Sequence, residues 1–92
     1  MTQTLDRSVH IPDDVVFREL QGEAVILSLD SSTYFGLDPV GSRIWALCAE
    51  HGSLRAVWEA MQDEFDAPPD RLQSDLLTFI DELSASGLMK VQ

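Results

Sequence analysis

The chain has only one cysteine and no apolar segment that could span a membrane. Its 92 residues include one cysteine, Cys48, so an intramolecular disulfide is excluded. Cys48 lies in an apolar helical pattern, which is typical of a small core residue. The chain has neither a run of about 20 apolar residues, as a membrane span requires, nor the basic-then-apolar start of a secretion signal. The sequence therefore predicts a cytoplasmic protein.

Basic residues are also scarce. Six Lys and Arg stand against 16 Asp and Glu, which gives a net charge of −10. Nucleic acids and anionic membranes attract clusters of Lys and Arg, so neither is an expected partner. The charge favours a basic or amphipathic peptide, or a basic patch on a partner protein. The alternative interpretation is that the acidity only keeps a small protein soluble.

Motifs of catalysis and metal binding are missing. The chain has no glycine-rich phosphate loop, no Gly-x-Ser-x-Gly, no Cys-x-x-Cys and no His-x-x-x-His. The two histidines, His10 and His51, are far apart, and the acidic clusters lack the spacing of a calcium loop. These absences do not exclude an enzyme, but nothing in the sequence argues for one, and the expectation is a non-catalytic protein without metal or cofactor.

The residues that are present predict one small domain with an arm. With 45% hydrophobic residues, the chain can form a single modest core. Residues 1–12 are polar and are expected to form a flexible N-terminal arm, in which the residues around His10 could make a short strand. Residues 13–92 are expected to form a single domain.

Three strands are predicted in the first half of this domain. Alternating or β-branched residues predict strands that are separated by short turns at Gln21-Gly22 and Asp30-Ser31-Ser32. Short connections favour an antiparallel meander. The predicted strands cover Val15–Leu20, Ala24–Leu29 and Thr33–Leu37. In the third strand, Phe35 and Leu37 are the better candidates for the core, and Tyr34 then points to the other face.

Three helices are predicted after the strands. Asp38 can cap the first helix, and Gly52 fits the left-handed position that ends it. Ser53 can cap the second helix, and the Pro68-Pro69 pair breaks it. Apolar residues recur at helical spacing between Asp38 and Gly52, from Leu54 to Phe65, and from about Pro69 to Ser86. Strands grouped before helices indicate the α+β class.

A small sheet of this kind has consequences for binding. It must lean one apolar face on the helices to be stable. An uncovered edge strand also carries unpaired amide and carbonyl groups, to which another chain can add as an extra strand. An acidic domain with an open sheet edge is therefore suited to peptide binding.

The segment from Asp30 to Trp45 resembles the PqqD-like family. The resemblance rests on the run Tyr-Phe-x-Leu-Asp-x-x-Gly-x-x-Ile-Trp at residues 34–45 and covers about residues 14–91. It implies a winged helix-turn-helix-like module, with a three-stranded antiparallel sheet followed by three helices. Such a module is a non-catalytic adaptor that binds the leader segment of a ribosomally synthesised precursor peptide. It presents the precursor to a modifying enzyme, such as a radical enzyme, a protease or a cyclase.

The resemblance also implies where the peptide binds. In the family, the leader adds as a strand to the third strand and lies in a groove shared with the third helix. Carried over to this chain, the strand positions are Ser32, Thr33, Tyr34, Phe35, Gly36 and Leu37. The helix positions are drawn from Leu72, Asp75, Leu76, Phe79 and Glu82.

Two other functions stay open. A winged-helix transcription regulator has the same order of elements. Its recognition helix would need Lys or Arg, whereas the third predicted helix has Arg71 against four acids. The other alternative is a homodimer in which two copies exchange their open edge strands.

Overall fold

The computed structural model describes residues 4–21 and 23–92. An antiparallel sheet is formed by the strands Val15–Leu20, Glu23–Ser28 and Tyr34–Leu37 in that order, and three helices follow it. This confirms the predicted α+β architecture. The elements are β1 (Val9–His10), β2 (Val15–Leu20), β3 (Glu23–Ser28), β4 (Tyr34–Leu37), α1 (Pro39–His51), α2 (Leu54–Glu64), α3 (Pro69–Ala85) and β5 (Lys90–Val91).

Strand β2 has its predicted bounds, and β3 and β4 differ from theirs by one residue at one or both ends. Strand β3 ends at Ser28, and Leu29 begins the turn toward β4 with 61% of its surface exposed. The Ser28 amide donates to the Thr33 carbonyl, so the ladder closes before the turn rather than within it. The predicted turn at Gln21-Gly22 includes Gly22, which lies outside the described residues.

Local capping signals set the helix ends as predicted. The Asp38 carboxylate accepts a hydrogen bond from the Gly41 amide at 2.7 Å, and Gly52 ends α1 with a φ of 75°. Ser53 caps α2 by accepting from the Ala56 amide. After α3, Gly87 takes a positive φ and the Leu88 amide donates to the Leu83 carbonyl.

The core lies between the sheet and the three helices. Ala24 and Ile26 of β3 supply its sheet side, and Trp45 and Cys48 of α1 are buried as well. The largest fully buried side chains are Ile26, Leu47, Leu54, Met61, Leu76, Ile80, Leu83, Leu88, Met89 and Val57. None of the helices in residues 4–21 and 23–92 has the length and apolar character needed to cross a membrane.

The N-terminal arm is docked over its described residues, 4–12, rather than free. Strand β1 pairs antiparallel with β5 at the end of the chain. The Val9 amide donates to the Gly52 carbonyl at 2.7 Å, and Leu5 and Val9 are buried. The strand expected around His10 is present as β1, and the buried side chains of Leu5 and Val9 attach this part of the arm to the core. The described part of the arm pairs with the C-terminal strand β5 and does not cover the free edge of β4.

Candidate functional site

Strand β4 is hydrogen-bonded to β3 on one side, and its other side faces no described strand. The hydrogen bond from the Ser28 amide to the Thr33 carbonyl shows which residues of β4 bond to β3 and which face the free edge. Bonded pairs alternate in an antiparallel sheet, so Phe35 and Leu37 exchange hydrogen bonds with β3. Tyr34 and Gly36 therefore direct their amide and carbonyl groups toward the free edge.

The side chains of β4 that face the helices begin a groove. Leu37 is buried and Phe35 is partly buried, as predicted. The ring of Phe35 meets the ring of Phe79 on α3 edge to face, with centroids 6.4 Å apart and an interplanar angle of 77°. This aromatic pair holds α3 beside β4 and forms an apolar floor.

Gly41 allows the first turn of α1 to approach the same floor. A Cβ atom at this position would lie 3.2 Å from the Asp38 Oδ1 atom and 3.5 Å from the Phe79 Cε1 atom. A Cβ atom here would be tight against the capping carboxylate of Asp38 and in van der Waals contact with Phe79. Because one residue, Asp38, separates β4 from α1, this first turn forms the end wall of the groove.

The resulting groove runs between β4, α3 and the start of α1 and has a volume of about 290 Å³. Its α3 wall uses positions i, i+4 and i+7, which lie on one face of a helix. The lining residues are Phe35, Gly36, Leu37, Asp38, Val40, Gly41, Ile44, Asp75, Phe79 and Glu82. We call this site the β4 groove.

The β4 groove is acidic at its rim. Three of its lining residues are carboxylates, Asp38, Asp75 and Glu82, and none is Lys or Arg. Arg71 approaches Asp75 at 3.9 Å, but both side chains are largely exposed, so this ion pair is weak. A groove lined by one sign of charge attracts ligands of the other sign.

A second cleft continues the groove toward the loop between α2 and α3. The two clefts meet at Val40, Ile44 and Asp75. The second cleft is further lined by Met61, Phe65, Asp66, Ala67, Arg71 and Leu72. The combined surface is an extended, mostly apolar channel rather than a closed cavity.

The structure places the predicted site residues at three kinds of position. Tyr34 lies on the free edge, on the face turned away from the helices, and 72% of the residue's surface is exposed. Ser32 and Thr33 lie in the segment before β4, and Leu72 lines the second cleft. The β4 groove itself brings together Phe35, Gly36, Leu37, Asp75, Phe79 and Glu82.

Leu76 is a correction to the predicted site. Its side chain is fully buried, so it cannot contact a bound segment. It lies four residues from both Leu72 and Ile80, on the stripe of α3 that packs into the core. The groove wall is the neighbouring stripe, one residue earlier along the helix.

Sequence reasoning missed the contribution of α1. Asp38, Val40, Gly41 and Ile44 line the groove, and Val40 is 50% exposed although it is apolar. The signal for these residues was the compact junction itself. With one residue between strand and helix, the first helical turn must flank the end of the strand.

The arrangement is suited to binding an extended peptide. Within residues 4–21 and 23–92, no three His, Cys, Asp or Glu side chains gather as a metal site. Burial raises the pKa of the Cys48 thiol to about 12, so this thiol stays protonated and unreactive at neutral pH. Unpaired backbone groups beside an apolar groove can instead hold an extended peptide as an added strand.

Comparison with known proteins identifies a family and related structures. The family profile described as coenzyme PQQ synthesis protein D (PqqD) matches residues 23–89. The structure of TbiB1 in complex with the TbiA(beta) leader peptide is 36% identical, with a TM-score of 0.79 over 87% of this chain and 93% of that one. A lasso peptide synthetase B1 complexed with the leader peptide has a TM-score of 0.80 over 90% and 98% of the two chains. Because the two sequences are 14% identical, this match supports the fold alone. No curated protein matches the chain significantly.

Proposed function

The chain belongs to the PqqD family, and we propose that it is an adaptor that binds the leader segment of a ribosomally synthesised precursor peptide by strand addition to β4. The observation that carries this proposal is the free edge of β4 beside the β4 groove. It is supported by TbiB1, which is similar over nearly its whole length and was solved with a leader peptide.

Strand addition divides affinity and specificity between backbone and side chains. Tyr34 and Gly36 each offer one amide and one carbonyl, and a hydrogen bond of this kind contributes about 0.5–1.5 kcal/mol net. Every second side chain of the added strand then faces the aromatic floor of the groove. The backbone bonds tolerate many sequences, so selectivity comes from the pockets.

The charge of the groove favours peptide binding over DNA binding. The α3 wall of the groove carries Asp75 and Glu82, and Arg71 stands beside Asp75. Such a wall repels phosphates and favours a peptide with basic residues. Exchange of β4 between two copies would use the same edge, so a homodimer would compete with the peptide.

We further propose that the chain does no chemistry and hands the peptide to a separate modifying enzyme. A radical enzyme, a protease or a cyclase would then act on a peptide whose leader stays held on β4. The buried, protonated thiol of Cys48 supports this division of labour, since it leaves the thiol without a nucleophilic role. The cytoplasmic location indicated by the sequence stays a prediction.

The test compares proline substitutions on the two edges of the sheet. Gly36→Pro removes an amide at the free edge of β4. Glu19→Pro is the matched control, because the Glu19 amide points to the free edge of β2. This follows from the hydrogen bond of the Leu29 amide to the Asp14 carbonyl, since bonded pairs alternate along the two strands. The probes are the TbiA(beta) leader and peptides that the wild-type protein enriches from a random library. Calorimetry measures their affinities.

We expect Gly36→Pro to weaken peptide binding more than about tenfold, since it removes a backbone bond and crowds the edge. Glu19→Pro should bind as the wild type does. Circular dichroism checks that both variants are folded. Equal binding by the two folded variants, or the failure of the wild-type protein to bind or enrich any peptide, would contradict the proposed function.

A further inference from the structure

Gly36 is unusual among the four glycines that the structure describes. Gly52 and Gly87 have positive φ angles, which favour glycine, and Gly41 is closely packed against Asp38 and Phe79. Gly36 has neither a positive φ nor any heavy atom within 4 Å of where its Cβ would lie. Glycine weakens a strand interior, because it packs no side chain and loses more backbone entropy on folding. The fold therefore does not explain why β4 has a glycine here.

The missing side chain leaves a notch on the face of the sheet turned away from the helices. Gly36 pairs with Val25 of β3, and Tyr34 is the next residue of β4 on the same face. The notch is lined by Glu23, Ala24, Val25, Gly36, Leu37 and Asp38. Its floor is apolar, and two carboxylates border it.

An added strand would place a side chain at this notch. Gly36 directs its amide and carbonyl at the free edge, so one residue of the added strand lies directly beside it. Neighbouring residues of paired strands point to the same face, whether the strands run parallel or antiparallel. That residue therefore sends its side chain over Gly36 rather than into the β4 groove.

Charge indicates which side chain fits. The described lining of the notch contains Glu23 and Asp38 and no Lys or Arg. Neither carboxylate is within 4.0 Å of a cationic group of the described residues. Arg18 pairs with Val25 on the far side of β3 and so flanks the notch rather than lining it. A long aliphatic stem with a positive end matches both the floor and the border.

We propose that Gly36 selects bound peptides that carry Lys or Arg at the position beside it. The stem lies over Gly36 and Val25, and the charged end reaches Glu23 and Asp38. This inference rests on the proposed function, because it assumes that the peptide adds to β4. It makes Gly36 a specificity-determining residue whose role is to leave space.

The experiment begins with peptides that the wild-type protein enriches from a random library. We expect these peptides to share Lys or Arg at one position. The consensus peptide is then made with Lys, with norleucine, which keeps the stem and loses the charge, and with alanine. The wild-type protein should bind the Lys peptide about fivefold more tightly than the alanine peptide, as for a strong cross-strand pair. Norleucine should recover most of this ratio, leaving about a twofold gap for an exposed charge.

Gly36→Val fills the notch while it keeps the edge amide. In this variant the ratio of affinities for the Lys and alanine peptides should fall to near one, because the stem no longer has space. Its melting temperature should be at least that of the wild type, since valine favours strands and meets no close neighbour. Gly36→Ala is a milder variant with an intermediate expected ratio. Glu23→Gln should remove part of the gap between Lys and norleucine.

The outcomes separate this inference from the proposed function. If peptides bind and respond to Gly36→Pro but show no positional preference for Lys or Arg, the inference is wrong and strand addition stands. An unchanged ratio in Gly36→Val and Gly36→Ala would overturn it in the same way. If the wild-type protein enriches no peptide, the proposed function is wrong, and this inference is wrong with it.

Discussion

The two edge strands of the sheet differ in how they meet another chain. Strand β2 carries two adjacent charged residues, Arg18 and Glu19, which discourage the addition of a further strand. Strand β4 reads Tyr-Phe-Gly-Leu and carries no charge. Both strands present unpaired backbone groups, yet the charges protect one edge and leave the other open. The difference indicates that an open edge in this protein is a feature of β4 and not of every edge strand.

The surroundings of the two edges differ as well. The helix-facing side of β2 lies at a shallow cleft lined by Phe17 and by Arg43 of α1. Arg43 donates from Nη2 to the Glu64 carboxylate at 3.0 Å, so this lining residue is held in an exposed ion pair. Beside β4, the side chain of Phe35 instead packs against the ring of Phe79. An aromatic floor can bury an apolar ligand side chain, whereas an exposed ion pair offers less apolar surface.

The largest expected effect comes from truncating the aromatic residue on each side. Phe79→Ala should weaken peptide binding more than about thirtyfold, because central aromatic residues dominate binding energy. Phe17→Ala is the matched control, since Phe17 is 38% exposed beside the protected edge. It should change binding less than about twofold, as expected for a residue outside the contact. Calorimetry with the same enriched peptide measures both, and similar losses would contradict the comparison.

A second prediction separates the core from the groove. Leu76→Ala should lower the free energy of unfolding by about 2–5 kcal/mol, the range for a buried leucine. Chemical denaturation measures this change. The affinity of the folded variant for the peptide should stay close to that of the wild type, because Leu76 is fully buried behind the groove wall. A variant that is as stable as the wild type but binds weakly would place Leu76 in the groove after all.

The smallest expected effect concerns the ion pair on the protected side. The hydrogen bond and charge of Arg43 lower the pKa of Glu64 below its ordinary value of 4.5. A carboxyl with a lowered folded-state pKa stabilises the protein above pH 4.5 and loses this contribution as the pH falls through its folded-state value.

Glu64→Gln should therefore lower the melting temperature slightly at pH 7, and the difference from the wild type should shrink in acid. High salt should also reduce it, because both side chains are exposed. Peptide binding should not change. A difference between the two melting temperatures that is constant with pH would contradict this account of the ion pair.

The elements themselves were predictable because their signals are local. Asp38 caps α1 through an amide three residues away, and Gly52 ends the same helix through its own φ. Alternation divided β4 into two faces, and Phe35 and Leu37 were the better candidates for the core side. The docked arm was not predictable, because its partner strand β5 lies some 80 residues further along the chain. The sequence around His10 indicated a short strand, but nothing local indicated that it would pair with the far end of the chain.

The sequence by itself determined the order of strands and helices, their caps and the acidic charge, since these depend on neighbours within a few residues. Tertiary structure decided which stripe of α3 became the groove wall. Leu76 and Asp75 are adjacent, yet one is in the core and the other lines the groove, because successive helical residues point about 100° apart. It also decided that the arm closes on the tail and leaves the edge of β4 open. Such pairings depend on how distant segments meet, and no single segment encodes them.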